Sequence, residues 1–375
     1  MWYNRYMKKH KGYKFRIYPN KEQAQKLLST MHAVRAMYNI LLADKQEYYA
    51  QTKEMLYNRP AMYKDDHPWL KEVDSSALCN VQLSLEKAYR SFFKGNNDFP
   101  KFKSRKKSRM SYTTSNISSS IRVEDGKLRL PKIGFVKIVL HREYKGVIKS
   151  VTVSQSRSGK FYASLLCEYD FEQPKHKLDK NKAIGLDYSS TFFYVDSNND
   201  TPESYEKIFM KYFDKLAREQ RKLAHMKLGS RNFEKQKIVV NRIHEKIANI
   251  RNDFLHKQSR FLINNFDYIF VEDLDLQEIA KPNPEEHLKL GLATADNSFG
   301  KFREYLAYKA EACGKIFHKT NKWYPSTKIC SHCGNVQNID INERIYRCPK
   351  CGTVINRDYN AAINILHKGF EELNL

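Results

Sequence analysis

The chain has 375 residues, and 66 Lys and Arg against 42 Asp and Glu give it a net charge of +24. Hydrophobic residues at 41% and aromatics at 13% exclude a disordered chain, and the length allows two or three domains. No apolar run nears the ~20 residues that cross a bilayer, so no membrane partner is expected, and a cation excess spread along a folded chain points to a polyanion, nucleic acid first.

The start, MWYNRYMKKHKGYKFRIY, is charged and aromatic with no apolar signal core, so a cytosolic protein is expected, or a nuclear one in a host with a nucleus. Residues 13–18, YKFRIY, alternate as a strand. Asn20 is placed to cap a helix whose Leu27, Leu28, Met31, Val34, Met37, Tyr38, Leu41 and Leu42 follow helical spacing to Tyr49. A loop with Pro and Asp at 59–68 precedes a second helix from Ser75 to Phe93, and the pair reads as a helical domain. The segment KGNNDFPKFKSRKKSRMSY at 94–112 mixes aromatics with cations. Lys101, Lys103, Arg105, Lys106 and Lys107 suit a phosphate backbone, or are simply solvated.

From 112 to 170 short alternating runs separated by Gly turns, IRVEDGKLRLP, GFVKIVL, KSVTVSQS and KFYASLLCEYD, read as a β-barrel or sandwich into which the helices are inserted. FEQPKHKLDKNK reads as a linker. AIGLDYSSTFFYVDS follows, then a basic helical pair over about 203–262 broken at Gly229-Ser230. NFDYIFVEDLDL has the apolar texture of a central strand, ahead of a loop carrying Pro282 and Pro284. A helix over 298–313 and a strand in IFHKTNKWYPS complete this half.

Three acids stand at element ends. Asp187 is a lone acid among apolar residues in AIGLDYSS, which is costly unless compensated; a turn or ion-pair acid is the alternative. Glu272 closes IFV, at a strand end where open α/β sheets carry ligand-facing groups. Asp358, in NRDYNAAINIL, opens a helix that buries Ala361, Ala362 and Ile365; a first-turn acid also complements the helix dipole. Together, two acids on strands and one on a helix are the layout of an RNase H-like nuclease, holding Mg²⁺ for phosphodiester cleavage.

Cys330 and Cys333, then Cys348 and Cys351, form two CxxC knuckles fourteen residues apart, each followed by Gly. Four soft ligands at this spacing predict a closed tetrahedral zinc site, with an iron site or a redox pair as alternatives. A closed site is structural, and it should fix where the Asp358 helix begins. Cys79, Cys167 and Cys313 are expected to be small buried hydrophobes, and His332 solvated.

The order of GLDYSST, FVEDL and NRDYNAAINI, with LEKAYRSFFKG, FPKFKS, GSRNFEKQK, IHEKIANIRNDFLHK and WYPSTKICSHCG, resembles the TnpB family over nearly the whole chain. These are transposon-encoded RNA-guided DNA endonucleases related to type V CRISPR effectors. The resemblance implies an α/β multidomain fold. A β-barrel wedge domain (1–19 and 96–175) would hold a helical recognition domain (20–95). A RuvC-like nuclease domain (176–328 and 353–375) would hold a zinc ribbon (329–352). It implies catalytic Mg²⁺ on Asp187, Glu272 and Asp358, structural Zn²⁺ on the four cysteines, and Asn80 near the adjacent DNA motif. The expected partners are a guide RNA from the transposon end and a double-stranded DNA target, bound by a monomer with one guide in a prokaryotic cytoplasm, at the nucleoid when on DNA. The chain departs from the family at Asn356, where Asp is frequent, and at Tyr188, where an aliphatic residue is usual; neither removes a ligand. The rival readings are a nuclease-silent RNA-guided regulator, a zinc-ribbon RNA-binding accessory, and a miniature type V effector.

Overall fold

The computed structural model describes residues 7–106, 108–172, 174, 176–202, 208–275, 297–340 and 343–375, with the backbone alone at 208–210. Lys107 and the loop of Pro282 and Pro284 lie outside the described residues. The chain divides into two compact units, Met1–Glu172 and Gln173–Leu375.

In the first unit, β1 (Met7–Tyr18) is followed by α1 (Lys21–Thr52), two short 3-10 turns, and α2 (Ser75–Phe93). Then come β2 (Ser111–Ser115), β3 (Arg122–Glu124), β4 (Lys127–Leu130), β5 (Gly134–Val139), β6 (Val147–Gln155) and β7 (Phe161–Phe171). The strands form one antiparallel sheet in the order β2-β6-β7-β1-β5-β4-β3. Alternation in β1 buries Tyr13, Phe15 and Ile17 in one core with Leu27, Met31 and Leu41 of α1 and Leu78 and Leu85 of α2. Asn20 caps α1 through a reciprocal bond pair, accepting from the Gln23 amide at 2.8 Å while the Asn20 amide donates to Oε1 of Gln23 at 3.1 Å.

The second unit is layered. Its four-stranded sheet runs β11-β10-β8-β9, from β8 (Ala183–Ser189), β9 (Phe193–Asp196), β10 (Tyr268–Glu272) and β11 (Ile316–Thr320). β10 is parallel to both β8 and β11, while β9 returns antiparallel to β8. AIGLDYSSTFFYVDS is therefore a hairpin, and Asp187 sits near its tip. α3 (Ile208–Ala224) and α4 (Arg231–Asn265) form the basic pair, and the Ser230 hydroxyl caps α4 by accepting from the Phe233 amide at 3.1 Å. α5 (Phe299–Cys313) and α4 cover one face of the sheet, packing on Ile184, Leu186, Ile269 and Val271. The other face carries Tyr268 and Phe270, against Ile365, Leu366 and Phe370 of α6 (Arg357–Glu372). Helices on both faces explain why the central strands are apolar throughout.

Between β11 and α6 the two knuckles hold a short hairpin, β12 (Ile345–Arg347) with β13 (Val354–Asn356). Tyr346 is fully buried there, and its hydroxyl donates to the Lys328 or Asn335 carbonyl oxygen, at 3.1 and 3.2 Å. Of the three other cysteines, Cys167 is buried and Cys313 half-buried; Cys79 is exposed, because it lies on the outward side of α2.

Candidate active site and metal centre

Strand register places two of the acids side by side. Leu186 of β8 pairs with Val271 of β10, so Asp187 and Glu272 occupy the next step, at the carboxyl ends of neighbouring parallel strands. Glu272 pairs in turn with Thr320 of β11. Two residues back toward the strand starts, Gly185 pairs with Phe270 and Phe270 with His318. α6 crosses the sheet over that row. A Cβ built on Gly185 would stand 2.2 Å from the Ala362 carbonyl oxygen, and one on Gly369 would stand 2.1 Å from the Phe270 ring. At the far end of the helix, His318 meets Glu372 at 2.7 Å. The close approach lowers the start of α6 toward the carboxyl ends of the strands, where Asp358 joins the other two acids.

Asp187 feels the charges of the other two acids. Asp187 is 6% exposed, and burial, then the charges of Glu272 and Asp358, raise its pKa well above its ordinary value, against an opposing contribution from Arg357. Burial raises Glu272 to about 7. Asp358 is bracketed by guanidinium groups: Arg357 Nη2 lies 3.3 Å from its Oδ1, and Arg344, just before β12, lies 3.4 Å from its Oδ2. Among the described residues, the carboxylate oxygens are less tightly gathered than the four thiols, whose sulfurs all lie within 4.8 Å of one another. Like charges hold carboxylates apart until a cation offsets them. An oxygen donor set of this kind, half-buried or more and mutually repelling, suits Mg²⁺.

The thiols fit zinc. Cys330 and Cys351 sulfurs are 3.7 Å apart and those of Cys333 and Cys348 3.5 Å. A tetrahedron with bonds of about 2.3 Å has edges of about 3.8 Å. His332 is exposed.

The knuckles are stitched to the helix that bears Asp358. Asn360 Nδ2 donates to the Ile329 carbonyl at 2.7 Å, and its Oδ1 accepts from the Ser331 amide at 2.9 Å. Asn364, one turn later, donates to the Ser326 and Ile329 carbonyls at 2.8 and 2.7 Å. Both asparagines are buried. β13 runs straight into α6, and the Asn356 side chain caps it by accepting from the amides of Asp358 and Tyr359. Sequence reasoning missed Arg344, Arg357, Asn360, Asn364 and Gly185. The asparagines carried a signal: two amides spaced i, i+4 beside buried alanines need partners.

In the first unit, Asn80 donates to the Ser76 carbonyl at 2.8 Å and to Ser115 Oγ at 3.1 Å, tying α2 to β2. Lys103 is held on α1, with its ammonium 3.6 Å from the Tyr38 ring centre and its amide donating to Asn39 at 2.8 Å. Both line one cleft of about 240 Å³ together with Arg35 and Arg109. Lys101 is exposed and paired with Asp98 at 2.8 Å, and Arg105 and Lys106 are exposed.

Three family descriptions match the chain: "Helix-turn-helix domain" at 7–54, "Probable transposase" at 165–282 and "Cas12f1-like, TNB domain" at 299–365. Within 7–54 the structure has one strand and one long helix. A Streptomyces pristinaespiralis protein named "Putative RNA-guided DNA endonuclease" is 32% identical, over 96% of this chain and 89% of its own length. The Escherichia coli protein named "Putative RNA-guided DNA endonuclease InsQ" is 31% identical, over 97% and 93%. A solved Cas12f1-sgRNA-target DNA complex contains a chain with the same fold at TM-score 0.55 and 14% identity, covering 92% of this chain and 83% of that one. With similarity to two such relatives running almost end to end, and the transposase match over β7 to β10, the chain belongs to the TnpB (IS605 OrfB) family.

Proposed function

We propose that this protein is an RNA-guided DNA endonuclease that cleaves a phosphodiester at Asp187, Glu272 and Asp358. The observation that carries this reading is the convergence of those three acids on one end of the sheet, where Glu272 and Asp358 both raise the pKa of Asp187. The acids are the ligands for Mg²⁺, which when bound supplies water activation and charge neutralisation at the phosphate. Glu272 and Asp187 hold the position at the strand ends. Asp358 completes the set from α6, with Arg357 and Arg344 fixing its carboxylate. Zn²⁺ on the four cysteines orders the ribbon and, through Asn360 and Asn364, the start of α6.

In this reading the seven-stranded sheet is a wedge barrel and α1 and α2 are its recognition insert. Their cleft at Asn80 and Lys103, with Lys101, Arg105, Lys106 and Lys107, meets guide RNA and the DNA motif beside the target. The guide comes from the transposon end, base pairing supplies sequence specificity, and one protein chain holds one guide. The protein works in the cytoplasm, on the nucleoid.

The test is cleavage by protein co-expressed with RNA from its own locus, on a matched double-stranded target with a randomised flank. Cuts that require Mg²⁺, the guide match and one flank sequence, and that vanish in Asp187→Ala, support the proposal. Guide-dependent binding without cutting would replace it with an RNA-guided regulator.

A further inference from the structure

Trp323 is 82% exposed, the most exposed of the large hydrophobic side chains among the described residues. A singly exposed apolar residue is ordinary on a protein surface. This one is set on a restrained loop beside the proposed cutting site. β11 ends at Thr320, the register partner of Glu272, and Trp323 follows three residues later. Consecutive Cα atoms are about 3.8 Å apart and paired strands about 4.8 Å, so its backbone lies within roughly 16 Å of Glu272.

The loop is tied down at both ends by α6. The Asn321 amide donates to Glu372 Oε1 at 3.1 Å, and Asn364 holds the Ser326 carbonyl at 2.8 Å. Between them, the Asn321 side chain accepts from the Trp323 amide at 2.8 Å, and the Asn321 carbonyl accepts from Tyr324 at 3.1 Å. The ring is thus held outward by a fixed backbone. Lys322 Nζ lies 5.2 Å from the ring centre and 3.5 Å from Asp275 Oδ2, in a part-exposed ion pair that a phosphate on a stacked base would compete for. Aromatic faces take any base, and a neighbouring cation supplies backbone contact.

We propose that Trp323 is a stacking platform for an unpaired base of the DNA strand entering the carboxylate site, with Lys322 on the adjoining phosphate. This rests on the endonuclease reading and deepens it. The platform grips a strand a few nucleotides from the scissile bond, so it acts on single-stranded DNA and not on the guide–target duplex.

The test uses the full-length protein–guide complex. The chain has three tryptophans, so Trp2→Phe with Trp69→Phe leaves Trp323 as the only indole. Its fluorescence is titrated with short oligothymidylate without added Mg²⁺. Saturable quenching by the single strand, and none by a blunt duplex, is expected; Lys322→Ala should weaken it severalfold. In parallel, Trp323→Ala should slow single-turnover cleavage on the order of tenfold, with guide-dependent target binding unchanged, and Trp323→Tyr should recover most of the rate. No quenching by oligothymidylate overturns the platform, as does a ring already shielded in the guide complex before DNA is added. An unchanged Trp323→Ala rate in a complex that cuts overturns it too. A wild-type complex that never cuts would defeat the endonuclease reading, while the fluorescence titration still decides whether Trp323 stacks on DNA.

Discussion

Gly185 and Ala362 meet with no room between them: a methyl group on the glycine would press 2.2 Å from the Ala362 carbonyl oxygen. That contact is backbone against backbone, so no side-chain rotation relieves it. Gly185→Ala is expected to push α6 away from β8 and carry Asp358 out of line. Overpacking of this kind costs about 1–3 kcal/mol, or roughly 2–10 °C in a unit of this size. Calorimetry and cleavage rates check it, with cleavage falling by far more than the change in folded fraction. Gly12→Ala is the control, since a Cβ there meets nothing within 4 Å. Equal behaviour of the two variants would mean that the α6 contact does not set the site.

Asn364 donates to the Ser326 carbonyl and shares the Ile329 carbonyl with Asn360. Asn364→Ala should destabilise the protein by about 1–3 kcal/mol, because the Ser326 oxygen loses its partner inside the fold. Asn364→Asp should be worse, since a carboxylate would face those same carbonyl oxygens. Zinc content, read by a colorimetric thiol-release assay, should stay at one ion per chain in both. Loss of zinc from either variant would show that the asparagine supports the knuckles rather than the join to α6.

Removing zinc tests the join from the other side. A zinc-selective chelator, or Cys348→Ser, should abolish cleavage, and added Mg²⁺ should not restore it, because β13 and the α6 cap lose their support. Hydrogen exchange should then rise in the first turns of α6 while β8 and β10 stay protected. Full cleavage by zinc-free protein would refute the structural role assigned to the ribbon.

The acid cluster has a pH signature. Glu272 is raised from 4.5 to about 7 by burial. A raised carboxylate stabilises the fold while protonated, so that contribution is complete below about pH 4.5 and is lost as pH climbs through 7. Without Mg²⁺, wild type should therefore weaken across that interval, and Glu272→Gln should melt higher than wild type at pH 8 by several degrees. The gap should narrow toward pH 5, and Mg²⁺ should raise the wild-type melting temperature more than the variant's. A variant that melts at or below wild type at pH 8 contradicts the assignment. The same substitution should eliminate cleavage, separating stability from activity.

What the sequence revealed and what it hid divide along a physical line. Local signals were readable: the Asn20 cap, the α2 limits at Ser75 and Phe93, the α4 start at Ser230 and the CxxC knuckles each depend on residues a few positions apart. Asp187 and Glu272 drew attention by their apolar flanks, and Asp358 by its place at a helix start. The partners that shape the site were not readable. Gly185 matters only because α6 crosses it, and Arg344 only because the β12 hairpin brings it onto Asp358. The turn between Ser189 and Phe193 was hidden in a run that looked continuous, because both strands it joins are buried. The exposure of Cys79 went unforeseen for the opposite reason: an apolar stretch does not say which side of a helix faces out.

The helix that crosses the row Gly185, Phe270 and His318 is made after the strands it covers. Asp358 follows Asp187 by 171 positions, 358 less 187. At ribosomal speeds of about 5–20 residues per second, that is on the order of ten seconds or more of synthesis. β10 follows about half-way through that interval, and the second face of both strands then awaits its cover. A nascent chain is therefore unarmed. On the proposed carboxylate site, it can begin to fold its first unit while the cutting centre stays incomplete, and the closing of α6 over the sheet is the step that completes it.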